Sequence, residues 1–212
     1  MTTRLDVLNR IAGAIGARTY LEIGVQAGQV FRLVNVAHRV GVDPDPTSAA
    51  TVKQTSDDYF ASLDPDAKFD LIFVDGLHLR EQVLQDAGNA LAHLSDHGVI
   101  VFHDCDPPDE RAGRREPCAG FWCGDTWRAW LDIRAMLPRR TFTVDADLGL
   151  GVIAPVGLPS DVLTDLPSAS NMACGSISWA EFQAQRPALL RLMSPDVFRT
   201  WIRTVAGARP RG

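Results

Sequence analysis

Apolar residues along this chain fall into two rhythms, one helical and one of short continuous runs. Between Thr2 and Ala17, residues Leu5, Leu8, Ile11, Ala12 and Ile15 recur at helical spacing and predict a covering helix. Thr19–Ile23 and Val36–Val42 read as two strands, with a helix expected over Val25–Val34 between them. The second run stops at Asp43-Pro44-Asp45-Pro46, where the prolines end it. A short third strand is expected at Thr51–Thr55, and a helix from Tyr59–Leu63 with Ser56 or Asp57 as its N-cap. Phe69–Val74 is an apolar run of the kind buried on both faces of a parallel sheet. Arg80–Leu94 is amphipathic, and Val99–Phe102 reads as a fifth strand. Segment 105–126, rich in Pro, Arg, Gly and Cys, has no periodicity; a loop that long in a compact domain is usually functional or mobile. Helix resumes over Trp127–Leu137, and Thr141–Val144 and Gly151–Ala154 close the strand series. After a linker, Trp179–Met193 and Pro195–Val205 read as two helical stretches, with a frayed tail from Gly207.

Strands alternating with helices predict an α/β fold: a Rossmann-like, doubly wound, seven-stranded, mostly parallel sheet with helices on both faces. Residues 1–157 would form the ligand-binding domain, with 105–126 as a lid-like insertion, and 158–212 a C-terminal helical extension. The 212 residues suffice for one well-cored domain. A net charge of −5 removes the electrostatic footprint expected for nucleic acid or an anionic membrane. The first residues lack the apolar core of a signal peptide, and no apolar run approaches the roughly 20 residues of a membrane span. A cytoplasmic protein, monomeric or homodimeric, is expected. In that compartment Cys105, Cys118, Cys123 and Cys174 read as thiols, and Cys118-x4-Cys123 lacks the second close pair of a zinc site.

The chemistry is concentrated at strand ends. Glu22-Ile-Gly24-Val-Gln-Ala-Gly28 follows the first strand, and Asp43 ends the second. Glycines there let the backbone turn tightly and approach a ligand closely. The acidic residue is placed to take two ribose hydroxyls. A dinucleotide site would add a third glycine and leave space for pyrophosphate, where Glu22 instead puts a carboxylate. A ligand with a cationic centre and no phosphate suits the loop better, and S-adenosylmethionine is such a ligand.

Taken in order, Tyr20–Gly28, Gly41-Val-Asp43-Pro, Thr55-Ser-Asp-Asp-Tyr-Phe60, Phe69–His78 and Val99–Asp104-x-x-Pro107 give residues 19–154 a specific signature. The segment resembles the class I S-adenosylmethionine-dependent methyltransferases, and within them the small sugar and antibiotic O-methyltransferases. The resemblance implies a transferase that holds the methionine end of its cofactor near Glu22 and Gly24, beside Gly28. It implies that Asp43 holds the ribose and that Ser56, Asp57, Asp58 and Phe60 border the adenine, with Asp75 nearby. Asp57 can also be a plain helix cap.

The acceptor implied is a hydroxyl of a sugar or glycoside, such as a mannoside of a polysaccharide precursor. Such a hydroxyl is a weak acid, and a divalent cation would lower its pKa. Asp75 after the fourth strand, with Asp104 and Asp106 after the fifth, offers hard oxygen ligands suited to Mg²⁺. Metal-dependent relatives carry an Asp-Asp or Asp-Asn pair at the Asp104 position; here Cys105 stands second, so Asp106 is the substitute. The other reading has Asp75 on the cofactor while Asp104 and Asp106 cap the loop. His78, near where those relatives carry a basic residue, is the expected base, with His103 its rival; His38, His93 and His97 read as surface residues. Trp122 and Trp127, with His103, are expected to meet substrate, although Trp127 and Trp130 have core-like helical spacing. The alternative enzyme is a metal-independent O-methyltransferase of a small phenol or natural product with a His base. A non-catalytic adenosine-binding module is the alternative outside enzymes.

Overall fold

Seven strands form one sheet in the computed structural model, which describes residues 1–155, 166 and 177–207. In chain order they are β1 (Thr19–Ile23), β2 (His38–Val42), β3 (Phe69–Val74), β4 (Leu94–Phe102), β5 (Thr141–Val144), β6 (Leu150–Ile153) and β7 (Leu192–Met193). They lie side by side as β2-β1-β3-β4-β6-β5-β7. β6 alone runs antiparallel, between β4 and β5. Six helices accompany them among the described residues: α1 (Arg4–Ile15), α2 (Ser56–Ser62), α3 (Arg80–Ala92), α4 (Thr126–Met136), α5 (Trp179–Leu190) and α6 (Pro195–Gly207).

The pleat divides the core in two. Tyr20, Leu71, Phe73, Val99 and Val101 face α1 and α6, whose Leu8, Ile11, Phe198 and Trp201 are buried against them. Leu21, Ile23, Ile72, Val74 and Ile100 face the opposite layer, where Val83, Trp127, Trp130 and Phe182 come from α3, α4 and α5. Alternate residues of one strand thus serve separate cores, which is why these strands read as unbroken apolar runs. The chain leaves β1 toward β2 on one side and returns to β3 on the other. That reversal opens a crevice at the carboxyl ends of β1 and β3, the place where such sheets bind ligands.

Four expectations are corrected. Val25–Val34 is a series of turns, not a helix. Gly24, Gln26 and Gly28 take φ of +86°, 47° and +76°, left-handed values that a right-handed helix cannot incorporate. The segment still buries Val25, Phe31 and Val34 in the α1 layer. Around Thr51–Thr55 there is one isolated bridge, Val42 to Val52, instead of a strand; the seventh strand is β7, parallel to β5. The N-cap of α2 is Thr55, which accepts the Asp58 N–H, not Ser56 or Asp57. His93, read as a surface residue, is buried and stacked on Phe60.

The C-terminal stretch joins the same body, through β7 in the sheet and α6 on α1. Most of the linker, the tail from 208 and Cys174 lie outside the described residues; Cys105, Cys118 and Cys123 are free thiols. Among the described residues no helix is long and apolar enough to cross a membrane.

Candidate active site

Two adjoining cavities occupy the crevice. The larger, about 670 Å³, is lined by Gly24, Gln26, Asp43, Ser56, Asp57, Asp75, Leu77 and Gln82, among others. Its size is that of a small-molecule site. Asp43 is fixed by the backbone: Oδ2 accepts the Gln26 N–H at 2.8 Å and Oδ1 the Asp45 N–H at 2.9 Å. An ionised carboxylate has about four acceptor positions, so each oxygen retains capacity for one further donor, an arrangement matched to two neighbouring hydroxyls. Gln82 donates to Asp57 and approaches Ser56, tying α3 to the start of α2 along this wall.

Asp58 and Phe60 do not join the cavity wall. Asp58 accepts from the Thr55 hydroxyl as part of the cap, and Phe60 turns inward to His93. Leu77, half exposed, joins Ile23, Val42 and Pro44 as apolar surface in the cavity. Gly28 shapes the loop, with its N–H bonded to the Val25 carbonyl. Gly24 is required by close approach: a Cβ there would lie 2.0 Å from the Asp75 carbonyl oxygen.

The smaller cavity, about 340 Å³, shares Gly24, Gln26, Ala27 and Asp75 with the first and adds Thr3, Arg4, Glu22 and Asp147. Glu22 is buried and accepts the Tyr20 hydroxyl at 2.5 Å. Burial raises its carboxyl to about 8, against the opposing Tyr20 bond and with help from the nearby Asp75 charge. Arg4, at the start of α1, bonds Asp147 through Nε and Nη2 and Asp75 through Nη1.

Asp75, His78 and Asp104 form the centre. One ligand atom from each lies within 4.8 Å of the others. The Asp75 N–H bonds Ile23 and the His103 N–H bonds Val74, so ladder bonds continue past the strands and hold these side chains at the carboxyl edge. The Nδ1 of His78 lies 3.0 Å from the Trp122 carbonyl, which can only accept; Nε2 therefore faces Asp75 at 3.5 Å and Asp104 at 3.3 Å. Burial opposes a charge on His78, but the two carboxylates raise its pKa above the usual value. Burial likewise opposes ionisation of Asp75, yet His103, His78 and Arg4 hold it well below the usual carboxylate range.

Asp104 takes φ of 58°, a left-handed value uncommon for a residue other than glycine, and its Oδ1 is buried without a hydrogen bond. His103 Nδ1 is 3.3 Å away but engages Asp75 Oδ1 at 3.1 Å. Both ring nitrogens of His103 face acceptors, since Nε2 meets the Asp147 carbonyl at 2.9 Å. Burial disfavours the imidazolium, but Asp104, Asp147 and Asp75 outweigh it and raise its pKa to about 11. Both ring nitrogens of His103 are thus occupied by protein partners, and the ring is buried and lines neither cavity.

Asp106 does not join the set. Its carboxylate pairs with Arg186 of α5, through Nε to Oδ1 at 2.7 Å and Nη2 to Oδ2. Trp127 is buried, donates Nε1–H to Gly113 and packs on Phe182, so it is a core residue and not a substrate contact. Trp122 stands at the centre, its ring 5.4 Å from that of His78. Segment 105–126 is laced to the body by Arg115 to Glu81, by the Arg80 N–H to Asp125 Oδ1 at 2.6 Å and by the Trp122 carbonyl to His78. The contributors that sequence reading missed are Arg4, Asp147, Leu77 and Gln82.

Residues 21–105 match the family model described as a methyltransferase domain. An uncharacterized protein of Sinorhizobium fredii, y4gI, is 28% identical over 85 residues, 40% of this chain; the match spans only 8% of that relative's length. The fold is similar to an O-methyltransferase from Bacillus cereus solved with SAH (S-adenosylhomocysteine). The TM-score is 0.53 and the identity 16%, over 73% of this chain and 82% of that one. A candidate O-methyltransferase from Klebsiella pneumoniae gives a TM-score of 0.52 at 15% identity, over 74% and 82% of the two chains.

Proposed function

We propose that this chain, which carries a class I S-adenosylmethionine-dependent methyltransferase domain, is an O-methyltransferase that acts with a divalent cation on a hydroxyl of a sugar or glycoside. The observation that carries the cation is Asp104 Oδ1: a buried carboxylate oxygen without a hydrogen bond, on a left-handed residue, beside Asp75 and His78. His103 Nδ1 stands 3.3 Å from that oxygen but bonds Asp75, and a cation held among Asp75, His78 and Asp104 would give the oxygen a direct partner. Asp75 and Asp104 would hold the ion, and two carboxylates with the remaining positions left to water and substrate oxygens suit Mg²⁺. When bound, the cation would lower the pKa of the acceptor hydroxyl.

The chain's own groups perform the rest. The larger cavity would hold the nucleoside, with Asp43 on the ribose and Leu77 against the base. His78, with Nδ1–H held by Trp122, presents Nε2 to take the hydroxyl proton. The oxygen then attacks the sulfonium methyl in line; the C–O bond forms, the C–S bond breaks and S-adenosylhomocysteine leaves. Alignment of the reacting atoms supplies much of the acceleration in such a transfer. The sugar reading rests on the Trp122 ring beside His78, a flat face for a pyranose, and on the resemblance of the chain's size and Trp-bearing insert to the mycobacterial methylmannose polysaccharide O-methyltransferase. Without a cation the two carboxylates beside His78 raise its pKa against the effect of burial and favour the imidazolium, which weighs against the metal-independent alternative.

The test is methyl transfer from labelled S-adenosylmethionine to mannosides, other glycosides and small phenols, with Mg²⁺ or with EDTA. Transfer to a glycoside that EDTA abolishes and Mg²⁺ restores is the expected result. Transfer indifferent to EDTA removes the cation; transfer to phenols alone removes the sugar.

A further inference from the structure

We infer that Arg4 binds the carboxylate of the cofactor's amino-acid end, so that the covering helix α1 contributes directly to ligand selection. The inference rests on the cofactor reading above. The smaller cavity places a cation and an acid on one wall set: the Arg4 guanidinium, and the carboxyl of Glu22. It joins the larger cavity at Gly24, Gln26, Ala27 and Asp75, where the absence of a Cβ at Gly24 keeps the backbones in contact. A nucleoside-sized space that opens into a small space with a cation and an acid fits a nucleoside joined to a zwitterion. The ammonium would face Glu22 and the carboxylate Arg4.

Arg4 is built for this. Its backbone N–H bonds Asp147 Oδ2 at 2.7 Å, and Nε and Nη2 bond the same carboxylate at 3.1 and 3.2 Å. Nη1 reaches Asp75 Oδ2 at 2.9 Å and lies 3.3 Å from His103 Nδ1. A guanidinium carries five N–H groups in one plane, and the carboxylate bonds engage one on each nitrogen. The side chain keeps 31% exposure, so the second N–H groups of Nη1 and Nη2 have room for another acceptor. Asp147 orients the fork, and planar donors recognise a carboxylate better than an ammonium would. Asp147 itself takes a left-handed φ of 48°, a conformation that the surrounding contacts must hold.

The experiment compares two ligands on each of three proteins by calorimetric titration: S-adenosylhomocysteine and its decarboxylated analogue, against the unaltered chain, Arg4→Gln and Arg4→Lys. The unaltered chain should favour S-adenosylhomocysteine. Arg4→Gln should weaken that ligand by roughly 10- to 100-fold and leave the analogue within about twofold, with Arg4→Lys between. A loosened α1 would weaken both ligands together, so equal losses overturn the inference and assign Arg4 a structural role. Unchanged affinity for both in Arg4→Gln also overturns it. If the unaltered chain binds neither ligand, the cofactor reading falls and this inference with it, an outcome distinct from the other two.

Discussion

The backbone carbonyl of Trp122 accepts the Nδ1–H of His78 at 3.0 Å, so an irregular loop fixes which nitrogen of that imidazole meets the two aspartates. Gly124 makes the contact possible. Its φ is +59°, and a Cβ there would lie 1.9 Å from the His78 carbonyl oxygen and 2.6 Å from its Cβ. Gly124→Ala must push the loop and His78 apart. Misplacement by about an ångström near a reacting centre can cost on the order of 100-fold. The expected outcome is a fall in kcat of that size with S-adenosylhomocysteine affinity nearly unchanged, read by single-turnover transfer and by titration. Unaltered kcat in a folded Gly124→Ala protein would show that the loop does not set the imidazole.

Asp104 and Asp106 are two residues apart and have different work. Asp104 faces Asp75 and His78, while Asp106 is spent on Arg186. Asp104→Asn should remove Mg²⁺-dependent transfer while cofactor affinity stays within a few-fold. Asp106→Asn should leave the Mg²⁺ response intact and instead lower stability by about 1–3 kcal/mol, because a part-buried guanidinium loses its two-bonded carboxylate and keeps only Asp145 at 3.4 Å. Denaturant melts and Mg²⁺ titrations of both variants check this. Equal sensitivity of the two variants to Mg²⁺ would return Asp106 to the metal set.

What could be read from the chain follows from how local each cause is. The strand-end acids were legible because an apolar run and the polar residue that ends it are neighbours: Val74 with Asp75, Phe102 with His103-Asp104, Val42 with Asp43. The Val25–Val34 helix was misread because apolar residues at plausible spacing sit in turns governed by left-handed Gly24, Gln26 and Gly28. β7 is two residues long and pairs with β5 far back in the chain, so no periodicity could announce it. Phe60 looked like a wall for adenine, but its position on α2 turns it to His93, and Leu77 faces the cavity. Arg4 and Arg186 meet partners 71 and 80 residues away, distances over which a sequence pattern carries no signal.

Asp43 offers a test of where the ribose lies. Both of its oxygens take a backbone N–H, and the residue lines the larger cavity. Asp43→Ala should weaken S-adenosylhomocysteine by about 1–3 kcal/mol, the worth of hydrogen bonds to a charged group. The loss should shrink for a 2′,3′-dideoxy analogue that lacks the hydroxyls. An equal loss for both ligands would mean that Asp43 acts only by holding the Gln26 turn.

Glu22 sets a pH dependence of stability whose sign is fixed by its environment. Burial in the α1 layer raises its carboxyl to about 8; the Tyr20 hydroxyl opposes the rise, and the Asp75 charge adds to it. The native state then keeps a proton that the unfolded chain releases near 4.5. Stability from this group is fully present below about 4.5, declines as the pH rises, and is lost on passing about 8. Glu22→Gln removes the titration and keeps a neutral side chain of the same shape. The gap in Tm between Glu22→Gln and the unaltered protein should therefore widen in favour of the variant between about pH 5 and 8 and level off above. Taking the difference cancels the other titrating groups to the extent that they act independently. Saturating S-adenosylhomocysteine should flatten the widening, because an ammonium beside Glu22 favours the carboxylate. Parallel melting curves across that range, without ligand, would show that Glu22 is ionised in the free protein.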